Sequence, residues 1–180
     1  MRAFVAIEIS KEEIVDAIHK FQSEIYLDVK AVEPKNLHFT LQFLGEVSEE
    51  RIENVKEALK KIKFSNFTVN FMGIGAFPKM KFPRVVWIGT DKDGGNALVE
   101  LARKVENALT PLGFRNDKPF KPHITIFRIK NKIGDITKEL GKFESFEFGT
   151  QDIVSFKLKQ SILTSKGPVY LDLEEVCGAK

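Results

Sequence analysis

Apolar residues recur along this chain mostly at every second position or in short unbroken runs, a pattern that predicts strands more often than helices. The longest predicted strands lie at residues 2–9, 37–44, 84–90, 123–129 and 152–163. Further strands are predicted at residues 28–33, 67–71, 145–149 and 169–175. Gly, Pro and Lys residues in and around 76–82 predict a loop there, and residues 165–168 predict a tight turn between the last two strands.

Three other segments place an apolar residue at every third or fourth position, which is the spacing of one face of a helix. The first helix is predicted to begin after Ser10, because Ser10 and Glu13 match a capping box, and the second after Ser48. The third is predicted to follow a loop at residues 91–95, and a short fourth helix is predicted near residues 133–140.

The order of these elements predicts the fold class. The first half reads strand, helix, strand, strand, helix, strand, and the second half repeats this order loosely although few residues match. We therefore expect a bilobed α+β domain of mostly antiparallel strands. A length of 180 residues suits one such domain, spanning residues 1–180, and we expect it to be a monomer.

Composition and charge narrow the class of protein further. The net charge of +3 is mildly basic, which permits a phosphate-bearing partner without requiring one. Cys177 is the only cysteine, so the chain has neither an internal disulfide framework nor a cysteine-based zinc site. No signal peptide or membrane-spanning segment is visible, and we expect a cytoplasmic protein that does not bind a membrane.

Two four-residue segments share the pattern of His, apolar residue, Thr and apolar residue. They are His38-Phe39-Thr40-Leu41 and His123-Ile124-Thr125-Ile126, and they contain two of the three histidines of the chain. Since side chains alternate between the faces of a strand, the His and Thr of each segment should share the face that is not buried. The same alternation places Gln42 with the first pair and Phe127 with the second.

Paired histidines of this kind suit acid–base catalysis on a phosphodiester, although a single His-x-Thr segment is more often structural. A neutral imidazole can take a proton from the attacking hydroxyl or water, and a protonated one can give a proton to the leaving oxygen. The hydroxyls of Thr40 and Thr125 can donate hydrogen bonds to the non-bridging phosphate oxygens. This chemistry needs no metal and no cofactor, and neither segment carries a carboxylate or thiol beside its histidine to complete a metal site.

Longer segments around both histidines resemble the 2H phosphoesterase superfamily and, within it, the RNA 2′,3′-cyclic phosphodiesterases, also called 2′-5′ RNA ligases. The similar segments are residues 2–7, 37–45, 119–128 and 161–163, followed by Gly167 and Tyr170. The resemblance covers nearly the whole chain. It implies two pseudo-symmetric lobes of mostly antiparallel sheet with outer helices, around a positively charged central cleft that carries both motifs.

The resemblance also implies an activity, the opening of an RNA 2′,3′-cyclic phosphate end to a 2′-phosphate. On the family's pattern, His38 is the proton donor to the departing 3′-oxygen, and His123 is the proton acceptor that activates water. If an RNA 5′-hydroxyl replaces water, the same site joins RNA ends such as tRNA halves through a 2′-5′ linkage. Two alternatives stay open: a phosphodiesterase for 2′-5′ oligonucleotides or small cyclic phosphodiesters, and a non-catalytic module that binds RNA ends.

Two more site residues follow from the family's pattern: Phe43, which would stack on a base, and Arg128, which would contact the phosphate. Each lies five residues after its motif histidine, so on a regular strand it would point to the opposite face. Either a β-bulge or the strand end redirects these side chains, or Phe43 is a core residue. Basic residues near the motifs could follow an RNA backbone, namely Lys79, Lys81, Arg84, Arg115, Lys118, Lys121, Lys130 and Lys132.

Overall fold

Nine strands and four helices make up the fold of the computed structural model, which describes all 180 residues. The strands are β1 (Arg2–Glu8), β2 (Lys30–Ala31), β3 (His38–Glu46), β4 (Phe67–Lys79), β5 (Phe82–Thr90), β6 (Ile124–Arg128), β7 (Glu147–Ile153), β8 (Ser155–Thr164) and β9 (Gly167–Cys177). The helices are α1 (Glu12–Glu24), α2 (Glu49–Lys60), α3 (Lys92–Leu109) and α4 (Thr137–Leu140). Short 3₁₀ turns lie at Pro34–Asn36, Thr110–Leu112 and Gly141–Phe143. None of the helices has both the length and the apolar character needed to span a bilayer.

The strands form two antiparallel sheets, one in each lobe. The first sheet has the strand order β3-β1-β8-β9, and the second has the order β2-β6-β5-β4-β7. β3, an edge strand of the first sheet, contacts β6 of the second sheet. This contact brings the two motif segments together and confirms the predicted α+β fold of antiparallel strands.

One apolar core of 40 buried residues extends from the sheets to the helices. α1 contributes Ile14, Ile18 and Phe21 to it. The ring of Phe39 on β3 stacks on the ring of Phe71 on β4, with the centroids 5.8 Å apart, so the core also links the first sheet to the second. Each such side chain contributes about 1.5–3 kcal/mol when buried. The core therefore fixes the positions of the two motif strands relative to each other.

Helix α1 begins one residue later than predicted, and Ser10 does not cap it. The backbone N–H groups of Ser10 and Lys11 instead donate to the side-chain oxygen of Gln151 at 3.0 and 3.1 Å. Gln151 lies on β7, and its amide nitrogen donates to the carbonyl of Glu8 at 3.1 Å. A contact between distant parts of the chain therefore replaces the local capping box.

The other two long helices begin on side-chain caps. Ser48 caps α2 as predicted, and its hydroxyl accepts from the N–H of Arg51 at 3.4 Å. The loop predicted after β5 is instead the start of α3. Its cap is Asp91, whose carboxylate accepts from the N–H of Gly94 at 3.0 Å and from the N–H of Asn70 at 2.9 Å.

Residues 76–82, predicted as a loop, continue β4 and β5 as a hairpin that turns at Met80 and Lys81. The glycine that precedes this segment has a packing reason. Gly75 lies opposite Trp87 on β5, and a Cβ at position 75 would collide with the indole ring. Gly75 therefore makes room for an aromatic ring that lies across the strand, and the local pattern does not distinguish such a glycine from one in a loop.

Candidate active site

The six side chains predicted for the site line one cleft of about 320 Å³ between the two sheets. They are His38, Thr40 and Phe43 from the first lobe, and His123, Thr125 and Arg128 from the second. The remaining lining residues are Lys30, Ala31, Val32, Glu33, Asn36, Phe77, Val85, Lys130, Lys166, Gly167, Pro168 and Tyr170. The volume is at the lower end of the range of small-molecule sites.

A β-bulge on β3 directs Phe43 into the cleft. In the ladder with β1 the register skips Leu41, between Thr40 and Gln42. The extra residue shifts the alternation by one position, so Leu41 and Gln42 are both buried while Phe43 is 72% exposed. The prediction that Gln42 shares the face of His38 is therefore wrong, and Phe43 takes that place instead of entering the core.

An equivalent bulge on β6 redirects Arg128. The ladder with β5 skips Ile126. Phe127, which the alternation places beside His123, is instead buried at 2% exposure, and that expectation is wrong for the same reason. Arg128 is exposed and lines the cleft. Both bulges fall on the third residue after the motif histidine, so the repeat includes a backbone irregularity as well as side chains.

Hydrogen bonds on both ring nitrogens hold His38. Nδ1 lies 2.6 Å from the backbone carbonyl of Asn36, which can only accept, so Nδ1 carries a proton. Nε2 lies 3.0 Å from Oγ1 of Thr40, and in the neutral ring it accepts from that hydroxyl. The ring of Tyr170 packs at 87° to the imidazole, with the centroids 5.4 Å apart. These contacts leave Nε2 as the nitrogen that can exchange a proton at the cleft.

His123 repeats this arrangement in the second lobe. Its Nδ1 donates to the backbone carbonyl of Lys121 at 2.6 Å, again two residues earlier in the chain. The ring of Phe77 packs at 84° to the imidazole, with the centroids 4.9 Å apart. Each histidine thus uses Nδ1 to hold its orientation and packs against aromatic rings, Phe4 and Tyr170 for His38 and Phe77 for His123. Nε2 is in each case the nitrogen that can exchange a proton with a ligand.

Burial lowers the pKa of both histidines. The pKa of His38 falls to about 4, chiefly because burial disfavours the charged ring, and the positive charges of Arg128 and Lys159 act in the same direction. Burial is also the main cause for the lowered pKa of His123, with Arg128 and Lys121 adding to it. Both free rings are therefore neutral near pH 7, and a nearby anion would favour protonation.

Cationic side chains surround the cleft, namely Lys30, Arg128, Lys130 and Lys166. The guanidinium of Arg128 pairs with no carboxylate of the protein, and Arg128 lies directly opposite Lys30 in the β2–β6 ladder. Like charges at opposite positions repel each other. Glu33 is the only acidic lining residue, and its carboxylate contacts Lys35 at 3.3 Å. The arrangement therefore favours an anionic ligand.

Of the eight basic residues proposed to follow an RNA backbone, only Lys130 lines the cleft. No local sequence pattern predicts that Lys30 and Lys166 belong to the site. The pairing of strands that are distant in the sequence brings both side chains to the cleft. A Cβ on Gly167, in the β8–β9 hairpin, would lie 3.4 Å from Nζ of Lys30. Tyr170, the aromatic neighbour of His38, does have a sequence signal, because it belongs to the C-terminal segment that carries the family resemblance.

A duplicated histidine site between two similar lobes is the arrangement expected of a 2H phosphoesterase, and known proteins support that class. The sequence profile of the AKAP7 2'5' RNA ligase-like domain family matches residues 3–176. The chain is 47% identical over 175 residues to the RNA 2',3'-cyclic phosphodiesterase of Archaeoglobus fulgidus, covering 96% of this chain and 98% of the relative.

Two further relatives agree with this result. The RNA 2',3'-cyclic phosphodiesterase of Aquifex aeolicus is 39% identical over 182 residues, covering 97% of this chain and 96% of the relative. The crystal structure of TT0787 from Thermus thermophilus superposes with a TM-score of 0.80 at 30% identity, covering 98% of this chain and 97% of that one. The protein belongs to the 2′-5′ RNA ligase-like family of 2H phosphoesterases and is an enzyme, which confirms the resemblance carried by its two motifs.

Proposed function

We propose that this enzyme hydrolyses the 2′,3′-cyclic phosphate ends of RNA to 2′-phosphates, with His38 as the acid and His123 as the base. The observation that carries the proposal is the pair of matched histidines, each held through Nδ1, in one cleft. The unpaired guanidinium of Arg128 suits the single negative charge of a cyclic phosphodiester. The names of the relatives support the same substrate.

The reaction requires one proton to be taken and one to be given. Neutral His123 takes a proton from water as the water oxygen bonds to phosphorus. The bond between phosphorus and the 3′-oxygen breaks, and protonated His38 gives its proton to that oxygen. Thr40 and Thr125 donate hydrogen bonds to the non-bridging oxygens, and Arg128 offsets their negative charge. The products are a 2′-phosphate and a 3′-hydroxyl.

The lowered pKa of His38 couples its role as an acid to substrate binding. Burial and the positive charges of Arg128 and Lys159 keep the free ring neutral at pH 7. A bound cyclic phosphate adds a negative charge close to the ring and offsets the charge of Arg128, so the imidazolium becomes more favourable. In this proposal His38 gains its proton when the substrate occupies the cleft.

The same groups can serve ligation of RNA ends such as tRNA halves. When a 5′-hydroxyl takes the place of water, His123 removes its proton and the product contains a 2′-5′ phosphodiester. The description of the matching family as 2'5' RNA ligase-like supports this use. All six site residues come from one chain, so a single copy supplies the whole site.

The test is turnover of a nucleoside 2′,3′-cyclic phosphate in the presence of EDTA, with the 2′-nucleotide product measured by chromatography. His38→Ala and His123→Ala are each expected to lose about 100-fold or more in kcat, because each removes one proton-transfer group. His19→Ala is the matched control, since His19 is exposed on α1. Absence of the 2′-phosphate product, or unchanged turnover in both site variants, would reject the proposal.

A substrate panel separates the alternatives. RNA oligonucleotides with a cyclic phosphate end, 2′-5′ oligonucleotides and small cyclic phosphodiesters are compared by kcat/KM at one ionic strength. The highest kcat/KM on the cyclic RNA end supports the proposed substrate. A higher kcat/KM on 2′-5′ oligonucleotides or on small cyclic phosphodiesters identifies that class as the substrate instead. Tight binding of the cyclic end without conversion identifies a binding module.

A further inference from the structure

A ring of four charged side chains lies beside His38 on the first sheet. Glu8 is directly opposite His38 in the β1–β3 ladder. The carboxylate of Glu8 contacts Nζ of Lys159 and, at 3.1 Å, Nζ of Lys157. Asp172 on β9 contacts the same two lysines, at 3.0 Å to Lys159 and 2.8 Å to Lys157. Positive and negative groups therefore alternate around a closed ring.

Lys159 is the buried member of this ring, and its side chain is 8% exposed. A buried ammonium is costly unless it is paired, and breaking such a pair is more costly than replacing it with apolar residues. Stability alone therefore gives little reason for four charges at this position. The proposed reaction uses none of them directly, and their place next to His38 indicates an electrostatic role.

Charged or titratable groups face His38 from four strands. Glu8 on β1 lies opposite His38, and Lys159 on β8 lies opposite Phe4, whose ring packs against the imidazole with the centroids 5.3 Å apart. Tyr170 on β9 packs against the imidazole directly, and Arg128 on β6 lines the same cleft. Burial raises the pKa of Tyr170, so its hydroxyl is neutral near pH 7. The charge of Arg128 is offset when a phosphate binds. The two charges that remain beside the ring throughout the reaction are Glu8 and Lys159, and they have opposite signs.

We propose that Glu8 and Lys159 are positioning residues that set the charge balance at His38, the carboxylate favouring the imidazolium and the ammonium opposing it. Lys157 and Asp172 hold both groups in place, so neither charge moves away when the substrate enters. The inference rests on the proposed function, because it assumes that His38 must be protonated to give its proton to the leaving oxygen.

Neutralising the two groups should have opposite effects. Glu8→Gln removes the carboxylate charge and leaves the ammonium, so His38 loses its proton more easily and the basic limb of the kcat profile moves to lower pH. Lys159→Met removes the ammonium charge and leaves the carboxylate, so His38 holds its proton more strongly and the basic limb of the kcat profile moves to higher pH. We expect shifts of about half a pH unit or more, which is roughly a threefold change in kcat on the limb. The double variant, Glu8→Gln with Lys159→Met, leaves the Lys157–Asp172 pair intact. Its kcat profile should lie close to that of the wild type, because one charge of each sign has been removed.

The experiment combines kcat profiles with NMR titration of the histidine ring signals, both on the full chain. Glu174→Gln and Lys60→Met are the matched controls, because each removes one charge from an ion pair of 3.6 Å that does not face His38. Circular dichroism and thermal unfolding confirm that each variant is folded.

Opposite shifts of the His38 titration in the two single variants, restored in the double variant, support the proposal. Shifts in the same direction, or none beyond those of the controls, overturn it. Absence of turnover on cyclic phosphates would reject the proposed function instead, and the NMR titration would still decide the effect of Glu8 and Lys159 on His38.

Discussion

The proposed mechanism depends on the protonation of two residues, His38 and His123. In the proposed reaction one ring must be protonated and the other neutral when the substrate reacts. In the free protein the pKa of each lies below the ordinary value of 6.5, and that of His38 is about 4. The fraction of enzyme with one proton on the pair is greatest between the two pKa values and falls above the higher one.

We therefore expect kcat/KM, which reports the free enzyme, to reach its maximum below pH 6.5 and to fall about tenfold per pH unit above the higher pKa. The basic limb of kcat should lie at higher pH, because the bound phosphate stabilises the imidazolium. Steady-state kinetics on a nucleoside 2′,3′-cyclic phosphate between about pH 4 and 9 would measure both profiles. Coincident limbs would show that binding does not change the protonation of the pair.

Among the structural elements, α3 has the stronger of the two side-chain caps. Asp91 accepts from two backbone N–H groups, one on its own helix and one on β4, whereas Ser48 accepts one longer bond at the start of α2. We expect Asp91→Ala to lower the free energy of unfolding by about 1–2 kcal/mol and Ser48→Ala by about 0.5 kcal/mol. Urea denaturation followed by circular dichroism measures both, and equal losses would contradict this ranking.

Most elements could be predicted from the period of the apolar residues, and the errors occur where a distant residue decides the local structure. Gln151 supplies the hydrogen bonds expected from a local cap of α1. Trp87 lies across Gly75, so a glycine that suggests a loop belongs to a strand. The bulges at Leu41 and Ile126 could not be located from the sequence. Regular alternation places Phe43 and Arg128 on the face opposite the histidines, whereas the family's pattern places them in the site, and only the strand ladders show that a bulge reconciles the two.

Across the whole molecule, positive charge is concentrated where the two sheets meet. The net charge is only +3, yet the cleft has four cationic side chains and one acidic one. Lys30 reaches it from β2 and Lys166 from the β8–β9 turn. The sequence alone could not select these two lysines from the 28 basic residues, because the choice depends on which distant strands pair. The two histidines were easier to select because their motif is repeated.

This distribution of charge should make the enzyme's affinity for RNA depend on salt, since each lysine that contacts a phosphate releases a counterion. We expect KM for an oligonucleotide with a cyclic phosphate end to rise with salt concentration. Lys166→Ala should reduce the slope of log KM against log salt by about 0.7–1, the contribution of one phosphate contact. Lys61→Ala removes the same charge from an exposed position after α2 and serves as the control. Equal slopes for both variants would show that Lys166 contacts no phosphate and that the RNA leaves the cleft along another path.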